Sequence, residues 1–368
     1  MPLVGTYTKP LVIDDYHPDI SGGDISVREA IKDTVKVDLD SHEGQRVFQE
    51  LNRNLKQTFP GIAIEKELGK GSFSTAYHIS YMENGERVSQ VLKLTSLNDA
   101  KQNEESNKLA KGRVGGEWLA FLQFDEHVLK TTHAIAYDHV KKEVVILDAG
   151  QIQEMIKNPQ ELNLTLFGTV SEYLEGAEEL SKRVEREGQL SSSAIQEIGD
   201  QILQGVASIH AQSEGESHLI HRDLKAENIL ITPDNKVKIF DFGAARFVNQ
   251  KEGGNHHPAG TLHCLAPELL KKPGSPVLHT SKVDVYSVGS ILSLLATGTI
   301  QGGRNDLWEA SKNNSHLLQR HVSKKESGVS DPVLRDFIIW LGDPDPEVRP
   351  TPQEAQEHEF FFTTQPSL

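Results

Sequence analysis

The sequence predicts an α+β protein in which a small antiparallel β-rich lobe precedes a larger helical lobe. From Ile62, the segments "IAIEKEL", "STAYHISYM" and "RVSQVLKL" have strand composition, and the turn "ENGE" carries a strong hairpin signal. Further strands are predicted at "THAIAYD", "EVVILDA" and "TLFGTVSEY". After Glu175 the pattern becomes mostly helical, interrupted by a strand pair at "ILITP" and "VKIFD".

Composition limits the classes of function. The net charge of −15 argues against binding to nucleic acid or to an anionic membrane. Cys264 is the single cysteine, which excludes an intramolecular disulfide and favours a reducing compartment. The longest apolar run, "VGSILSLLATG", is too short to span a bilayer, and "MPLVGTYTKP" has no signal-peptide features. We therefore expect a cytoplasmic protein with no membrane span and no nucleic-acid partner.

The segment before Pro60 is predicted to be an N-terminal extension that is partly helical. Ser26 and Glu29 have the spacing of a capping box at the start of a first helix. A second helix is predicted over "EGQRVFQELNRNLKQTF", and four of its apolar residues share one face: Phe48, Leu51, Leu55 and Phe59. Packing of this face on the following domain is the favoured interpretation, and a partner-binding helix is the alternative.

Lys93 lies inside the apolar strand "QVLKLTS" and needs an anionic partner if it is buried. A charged helix is predicted from about Asn98 to Phe124, and Glu117 on it is the preferred partner over Glu104 and Glu105. Upstream, Gly69 and Gly71 in "LGKGSFSTAY" would let backbone amides approach phosphates, although two glycines in a hairpin more often make only a turn.

The segment "HLIHRDLKAENILI" is the most specific signal. Asp223 can accept a proton from a hydroxyl, Lys225 can neutralise charge on a transferred group, and Asn228 offers a hard oxygen ligand for magnesium. Asp241, at the end of the strand in "VKIFDFGAARF", supplies a second oxygen ligand of this kind. Together these residues point to metal-assisted transfer chemistry.

In this set of motifs the sequence resembles the protein kinase family, over roughly Ile62 to Phe362. "GTLHCLAPELL" resembles the end of an activation segment, "KVDVYSVGSIL" the central helix of the large lobe, and "SEYLEG" the hinge. The "DLK" run resembles the serine/threonine subgroup. The resemblance implies the two-lobed kinase fold, with ATP and Mg²⁺ as cofactors and Mn²⁺ as an alternative metal.

The resemblance also implies a role for each matching residue. Asp223 would be the catalytic base, assisted by Lys225, Lys93 and Glu117. Asn228 and Asp241 would bind magnesium, at two sites. The residues facing ATP would be Leu68, Gly69, Gly71, Ser72, Phe73, Ala76, Lys93, Ser171, Glu172, Leu174 and Glu178. Structural roles would fall to His221, Arg222, Phe242, Gly243, Thr261, Glu268, Asp284 and Arg349, with Asp284 bracing the His221-Arg222 turn and Arg349 pairing with Glu268.

The implied domain boundaries are an extension over 1–60, a kinase domain over 61–363 and a short tail over 364–368. Within the domain the N-lobe covers about 61–171, the hinge about 172–175 and the C-lobe about 176–363. The sequence departs from the family pattern at Ser74, which replaces the third loop glycine, and at Ala76, Cys264 and Tyr286. An insertion is predicted at about 139–165, with "PQELN" as a surface loop.

The expected function is transfer of the ATP γ-phosphate to serine or threonine hydroxyls of proteins. Glu227 and Glu178 raise the hypothesis of basic residues flanking the target. The alternatives are a pseudokinase scaffold and a small-molecule kinase, and "GTLHCLAPE" argues against the second. Thr261 is the only hydroxyl residue between Gly243 and Ala266, so we expect activity without activation-loop phosphorylation. Kinases that diverge in this way also occur among bacterial effectors, for which the location would be the host cytoplasm.

Overall fold

The computed structural model describes residues 26–36, 38, 40–71, 74–103, 107–110, 113–157, 163–249, 260–270, 279–299 and 329–363. The backbone contacts divide the chain into two compact units. The first unit comprises Met1–Leu122 with Lys130–Tyr173, and the second comprises Gln123–Leu129 with Leu174–Leu368. The change from the first unit to the second therefore falls between Tyr173 and Leu174, inside the segment predicted to be the hinge.

An antiparallel sheet forms the centre of the first unit. In the described residues its strands are β1 (Ala63–Lys70), β2 (Ser74–Glu83), β3 (Glu86–Thr95), β4 (Lys108–Ala110), β5 (Arg113–Val114), β6 (Thr131–Asp138), β7 (Glu143–Asp148) and β8 (Asn163–Glu172). The strand order is β1-β2-β3-β8-β4-β5, and β6 pairs with both β7 and β8. The β2–β3 turn has positive φ at Asn84 and Gly85, which confirms the predicted hairpin and explains the Asn-Gly pair.

The N-terminal extension forms helices α1 (Val27–Val35) and α2 (His42–Thr58). The predicted capping box between Ser26 and Glu29 is present at the start of α1. The predicted apolar face of α2 is buried in the core of the first unit, together with residues of β1, β2, β3, β6 and β8. A buried hydrogen bond of 2.7 Å between Thr34 and Tyr77 also joins α1 to β2. The described part of the extension is thus continuous with the sheet domain.

The predicted helix from Asn98 to Phe124 is wrong. The chain instead forms helix α3 (Leu97–Gln102), the β4–β5 hairpin and a 3₁₀-helix (Gly116–Phe121). The sequence contains a physical reason, because Gly112, Gly115 and Gly116 interrupt the stretch. Each glycine costs a helix interior about 1 kcal/mol relative to alanine. Three glycines within such a short interval therefore outweigh the charged pattern that suggested the helix.

The predicted insertion at about 139–165 contains β7 and a helix, α4 (Ala149–Lys157), that the sequence analysis did not identify. Ile152 on α4 is buried in a second apolar cluster of the first unit, with Trp118 and Phe121 of the 3₁₀-helix. Of the predicted surface loop "PQELN", only Asn163 lies within the described residues, and it begins β8.

The second unit is mainly helical in its described part. Its helices are α5 (Leu180–Glu187), α6 (Ser192–His210), α7 (Lys282–Thr297), α8 (Pro332–Leu341) and α9 (Pro352–Gln356). Short strands form two small sheets: β10 (Ser213–Glu214), β11 (Ser217–Ile220) and β14 (Arg246–Asn249) in one, and β9 (Glu178–Glu179), β12 (Ile229–Ile231) and β13 (Val237–Ile239) in the other. Further 3₁₀-helices are Ala226–Asn228, Phe242–Ala244, Leu262–Cys264, Pro267–Leu270 and Glu359–Phe361. No helix in the described ranges combines the length and apolar character needed to cross a bilayer.

Candidate active site

A network of hydrogen bonds surrounds the carboxylate of Asp223. Its Oδ2 accepts from Lys225 Nζ at 3.1 Å and from Asn228 Nδ2 at 3.2 Å, and its Oδ1 accepts from the Thr261 hydroxyl at 3.0 Å. Lys225 Nζ also donates to Thr261 Oγ1 at 3.0 Å. Burial alone would lower the pKa of Lys225, but the neighbouring carboxylates, above all Asp223, raise it above the ordinary value. The site therefore holds a charged lysine beside an oriented carboxylate.

Asp284 on α7 fixes the backbone that leads to Asp223. Its two oxygens accept hydrogen bonds from the amides of His221 and Arg222, both at 2.8 Å. Burial would raise the pKa of Asp284, but the hydrogen bonds from His210 and His221 hold it below the ordinary value. Arg222 has φ of +69°, a conformation that non-glycine residues rarely adopt. The two hydrogen bonds from these backbone amides to the buried Asp284 carboxylate stabilise this turn.

Asp241 and Asn228 lie at the same end of the β12–β13 pair. Ile229 pairs with Ile239, and the Phe240 amide donates to the Asn228 carbonyl at 3.0 Å. Asp241 also has positive φ, and its Oδ1 accepts from the Gly243 amide at 3.3 Å. The Asn228 side-chain nitrogen donates to the Asp223 carbonyl at 2.8 Å and to the Asp223 carboxylate at 3.2 Å. The donor set offers hard oxygens of the kind that Mg²⁺ prefers.

The Phe242 side chain anchors the segment that contains Asp241. Its ring is buried, stacks on Phe124 with a centroid distance of 5.1 Å, and contacts the His221 ring edge-to-face at the same distance. His221 Nε2 lies 3.1 Å from the Phe240 carbonyl oxygen. The aromatic contacts and this hydrogen bond join the Asp241 segment to the Asp223 segment.

Glu268 and Arg349, predicted to pair, form a bidentate ion pair with both N–O distances at 2.7 Å. The remaining Arg349 donors bind the carbonyls of Asp343, Lys282 and Pro344. The guanidinium also lies 5.0 Å from the centroid of the Tyr286 ring. Every donor of this buried arginine therefore has an acceptor, which is the condition under which a buried charge is tolerated.

In the first unit, the register of the sheet aligns three predicted ATP-site residues. Gly69 pairs with Ala76, and Ala76 pairs with Lys93. Directly paired residues point to the same face of a sheet, so these three positions share a face. At the tip of the β1–β2 hairpin, the Gly71 amide donates to the Ser74 carbonyl at 2.7 Å. Leu68 lies at the irregularity of register between Glu67 and Gly69.

Three predicted site residues of the first unit need separate comment. Ser72 and Phe73 lie outside the described residues. Glu117 is half-buried and lies in the first turn of the 3₁₀-helix that replaces the predicted long helix. Its local backbone thus differs from the sequence-based expectation.

The predicted hinge residues lie on both sides of the boundary between the units. Ser171 is buried in β8, where it pairs with Val91 and Thr131. The Glu172 carboxylate accepts from the Lys130 amide at 2.8 Å. In the second unit Leu174 is half-buried, and Glu178 accepts from Arg186 Nη1 at 2.6 and 2.7 Å. Glu178 is therefore already engaged by a cation from α5.

Three titratable groups of the second unit have shifted pKa values because they are buried. Burial raises the pKa of Glu179 to about 7, with Lys182 opposing and Glu227 adding to the shift. Burial lowers the pKa of His263 and raises that of the Cys264 thiol. The departure from the family pattern at Cys264 thus places a neutral, buried thiol in the segment that follows Thr261.

Sequence reasoning missed two partners of the predicted residues. His210 Nε2 lies 2.8 Å from Asp284 Oδ2, and no sequence pattern connects positions so far apart. Arg186 binds Glu178 from α5. One sequence signal could have indicated this pair: Arg186 is a basic residue on an amphipathic helix that begins shortly after Glu178.

The arrangement in the second unit is that of a site for group transfer, in which an oriented carboxylate, a cation and hard oxygen ligands converge. The family model described as protein kinase domain matches residues 62–361. The chain belongs to the eukaryotic-type protein kinase family, in its serine/threonine subgroup. The α+β architecture of the described residues is consistent with the fold of that family.

Several curated serine/threonine kinases are similar to the chain. A probable serine/threonine-protein kinase of Dictyostelium discoideum is 29% identical over 259 residues, covering 68% of this chain and 47% of the relative. The pakA kinase of Talaromyces marneffei is 24% identical over 333 residues, covering 87% and 47%. The cds1 kinase of Schizosaccharomyces pombe is 28% identical over 273 residues, covering 70% and 55%. The chain spans about half the length of these relatives.

Proposed function

We propose that the chain is an active ATP- and magnesium-dependent kinase that phosphorylates serine or threonine in other proteins, with Asp223 as the catalytic base. The observation that carries this proposal is the orientation of the Asp223 carboxylate by Lys225, Asn228 and Thr261. A general base must be positioned and ionised before it can accept a hydroxyl proton. The three hydrogen bonds supply the positioning.

Lys225 would stabilise the charge that develops on the transferred phosphoryl group. Its raised pKa keeps the ammonium protonated near neutral pH. Phosphoryl transfer depends on positioning and charge neutralisation more than on covalent chemistry. Asn228 and Asp241 would hold magnesium, which supplies charge neutralisation on the phosphates. The shared end of the β12–β13 pair supports this assignment.

The first unit would supply the nucleotide contacts. Lys93 would bind the phosphates with Glu117 as its partner, and the backbone at Gly69 and Gly71 would approach them. The in-register alignment of Gly69, Ala76 and Lys93 on one sheet face supports this assignment. Ser171, Glu172 and Leu174 would face the adenine, and Glu178 would lie near the ribose.

The test is transfer of labelled phosphate from ATP to a generic protein substrate. We expect Asp223→Asn to lower kcat by at least ~10²-fold, because general-base catalysis contributes about that much. Asp234→Asn is the matched control, since Asp234 is an exposed aspartate of the same unit. Wild-type protein that binds nucleotide without transferring phosphate would contradict the proposal in favour of a scaffold. Transfer only to small molecules would contradict it in favour of a small-molecule kinase.

We further propose that substrates carry basic residues before the target hydroxyl, with Glu227 as the recognising carboxylate. Glu227 is half-buried, and it contributes to the raised pKa values of Lys225 and Glu179, which indicates a local excess of negative charge. Glu178 is paired with Arg186, so a substrate arginine would have to displace that side chain. A peptide-library screen should show an upstream preference for Arg or Lys that weakens in Glu227→Gln, and a screen without that preference would rule the proposal out.

A further inference from the structure

A concave site lies wholly within the first unit, and its lining includes no residue assigned to phosphate transfer. It is formed by the N-terminal half of α2, the end of α3, and the residues at and after the end of β6. Its volume is about 710 Å³. Small-molecule sites in proteins typically have volumes of ~300–1,000 Å³. We call it the α2 pocket and define it by Glu43, Arg46, Lys101, Tyr137, His139 and Lys142.

Three cations line the α2 pocket, and each comes from a different part of the fold. Arg46 lies on α2, Lys101 on α3, and Lys142 in the turn between β6 and β7. Glu43 is the single acidic residue among the lining side chains. The whole chain has a net charge of −15, so a local excess of positive charge is the reverse of its overall character. Because the three cations come from three elements, they form a cluster rather than the charged, solvent-exposed face of a single helix.

The existing contacts of these cations leave them available to a ligand. Lys101 Nζ lies 3.6 Å from Glu43 Oε1, and the Glu43 side chain is 59% exposed. Arg46 Nη2 donates to the Tyr137 hydroxyl at 3.4 Å, and its Nε lies 4.0 Å from Glu50. Both ion pairs are longer than a direct charge-assisted hydrogen bond and each has one solvent-exposed partner, so each contributes little. Lys142 has no hydrogen bond or ion pair with any other residue in the described ranges. A phosphate could replace these contacts with shorter, charge-assisted ones.

Tyr137 and His139 form the floor of the pocket and are held by contacts within the first unit. The Tyr137 side chain is buried, its hydroxyl donates to Glu43 at 3.2 Å, and Lys101 Nζ lies 4.7 Å from its ring centroid. His139 Nε2 lies 2.8 Å from the Thr165 hydroxyl, and its ring contacts Tyr137 edge-to-face. Burial lowers the pKa of His139, and the charges of Lys101 and Lys108 lower it further. A bound anion would offset those two charges and raise the His139 pKa.

We propose that the α2 pocket binds a small, multiply phosphorylated ligand, with Arg46, Lys101 and Lys142 as its phosphate-binding residues. The volume admits a ligand of metabolite size, and three separated cations suit more than one phosphate group. The same chemistry occurs in free polyphosphorylated molecules and in the headgroups of phosphorylated lipids. The ligand would join the N-terminal extension to α3 and to the β6–β7 hairpin, because each of these elements contributes one cation.

Calorimetric titration with inorganic tripolyphosphate tests this proposal. The full chain would carry Lys93→Ala and Asp241→Ala without added metal, so that the proposed ATP site does not contribute. In that background, Arg46→Gln with Lys101→Gln should weaken binding at least about tenfold, because each lost charge-assisted hydrogen bond has an effect of that order. The matched control is Arg53→Gln with Lys56→Gln, which removes the same charge from exposed positions of the same helix. The control should stay within about twofold of the parent, since screened charges outside the pocket act weakly.

A second measurement separates a specific site from general charge attraction. The His139 pKa, followed by NMR, should rise when tripolyphosphate binds the parent protein and should not rise in the Arg46→Gln, Lys101→Gln protein. Vesicles of phosphatidylcholine with phosphatidylinositol bisphosphate form the lipid arm. Vesicle binding that is lost in the same variant, without tripolyphosphate binding, would assign the pocket to a lipid headgroup. No saturable binding in either arm, or equal weakening in the control, would overturn the proposal.

Discussion

The guanidinium of Arg349 and the carboxylate of Glu268 form a bidentate ion pair whose arginine side chain is fully buried. The pair joins the 3₁₀-helix Pro267–Leu270 to the chain segment just before α9. The Lys282 side chain reaches back to the Arg349 carbonyl, so the contact also includes the start of α7. Because all Arg349 donors have acceptors, the ion pair holds this segment in place. Removal of either partner would leave a buried charge unpaired.

The first prediction follows from this pair. Glu268→Gln should destabilise the second unit by about 3–5 kcal/mol, the usual cost of an uncompensated buried charge. Urea unfolding followed by a probe in the second unit would measure it. Lys236→Gln, which removes the exposed partner of Asp234, should cause no measurable change. Equal stabilities of the two variants would show that the ion pair contributes nothing beyond a surface contact.

The second prediction concerns regulation. The Thr261 hydroxyl is already used between Asp223 and Lys225, which makes it a poor phosphorylation site. We expect specific activity to survive treatment with a broad phosphatase, and mass spectrometry to find Thr261 unmodified. Thr261→Ala should lower kcat about tenfold, the value of one or two lost hydrogen bonds, while Thr261→Ser should retain most activity. A requirement for phosphorylated Thr261 would reverse this interpretation.

The sequence of the activation loop also offers Glu252, His256 and His257 as candidate regulators. Glu252 could supply a fixed negative charge, and the two histidines could respond to pH. All three lie outside the described residues, so their roles stay predictions.

The third prediction concerns pH. Burial raises the pKa of Glu179 to about 7 from its ordinary 4.5, so the folded state holds a proton that the unfolded state loses at lower pH. The contribution of Glu179 to stability is therefore complete below about pH 4.5, falls as the pH rises toward 7, and is absent above that value. The charged groups that face it are Lys182, Glu185 and Glu227.

Glu179→Gln tests this linkage, because it removes the titration while keeping the shape. The variant should be more stable than the parent at about pH 8, by at most about 3 kcal/mol, and the difference should shrink toward about pH 5. Unfolding by urea at both pH values measures the effect. Glu216→Gln, at an exposed position between β10 and β11, is the control and should show no such change with pH, because Glu216 is not among the groups that act on Glu179. A pH-independent difference for Glu179→Gln would contradict the assigned shift.

The fourth prediction concerns the N-terminal extension. Leu51 on α2 is fully buried in the core of the first unit, so Leu51→Ala should cost about 2–5 kcal/mol. Gln57→Ala, at an exposed position of the same helix, should have little effect. Removal of residues 1–60 should lower the melting temperature clearly. An unchanged melting temperature, accompanied by loss of binding to some partner, would instead support the alternative of a partner-binding helix.

The sequence by itself determined the family and the main strands, and it named the candidate catalytic residues. These features are encoded locally: Asn84-Gly85 can form a tight turn wherever it occurs, and Asp223, Lys225 and Asn228 are close in sequence. The buried face of α2 was also predictable, since Leu51 and Leu55 lie one turn apart.

Only the tertiary structure decided which distant groups meet. His210 binds Asp284, and Arg46, Lys101 and Lys142 converge on one pocket, because the folded backbone brings elements together that no periodicity connects. The raised pKa of Glu179 likewise depends on its burial. The sequence around Glu179 has the composition of an ordinary charged segment and does not indicate that burial. The segment before Glu117 was misjudged for a related reason. Its charge pattern favoured a helix, but three glycines destabilise that helix, and β4 pairs instead with β5 and β8 at the edge of the sheet.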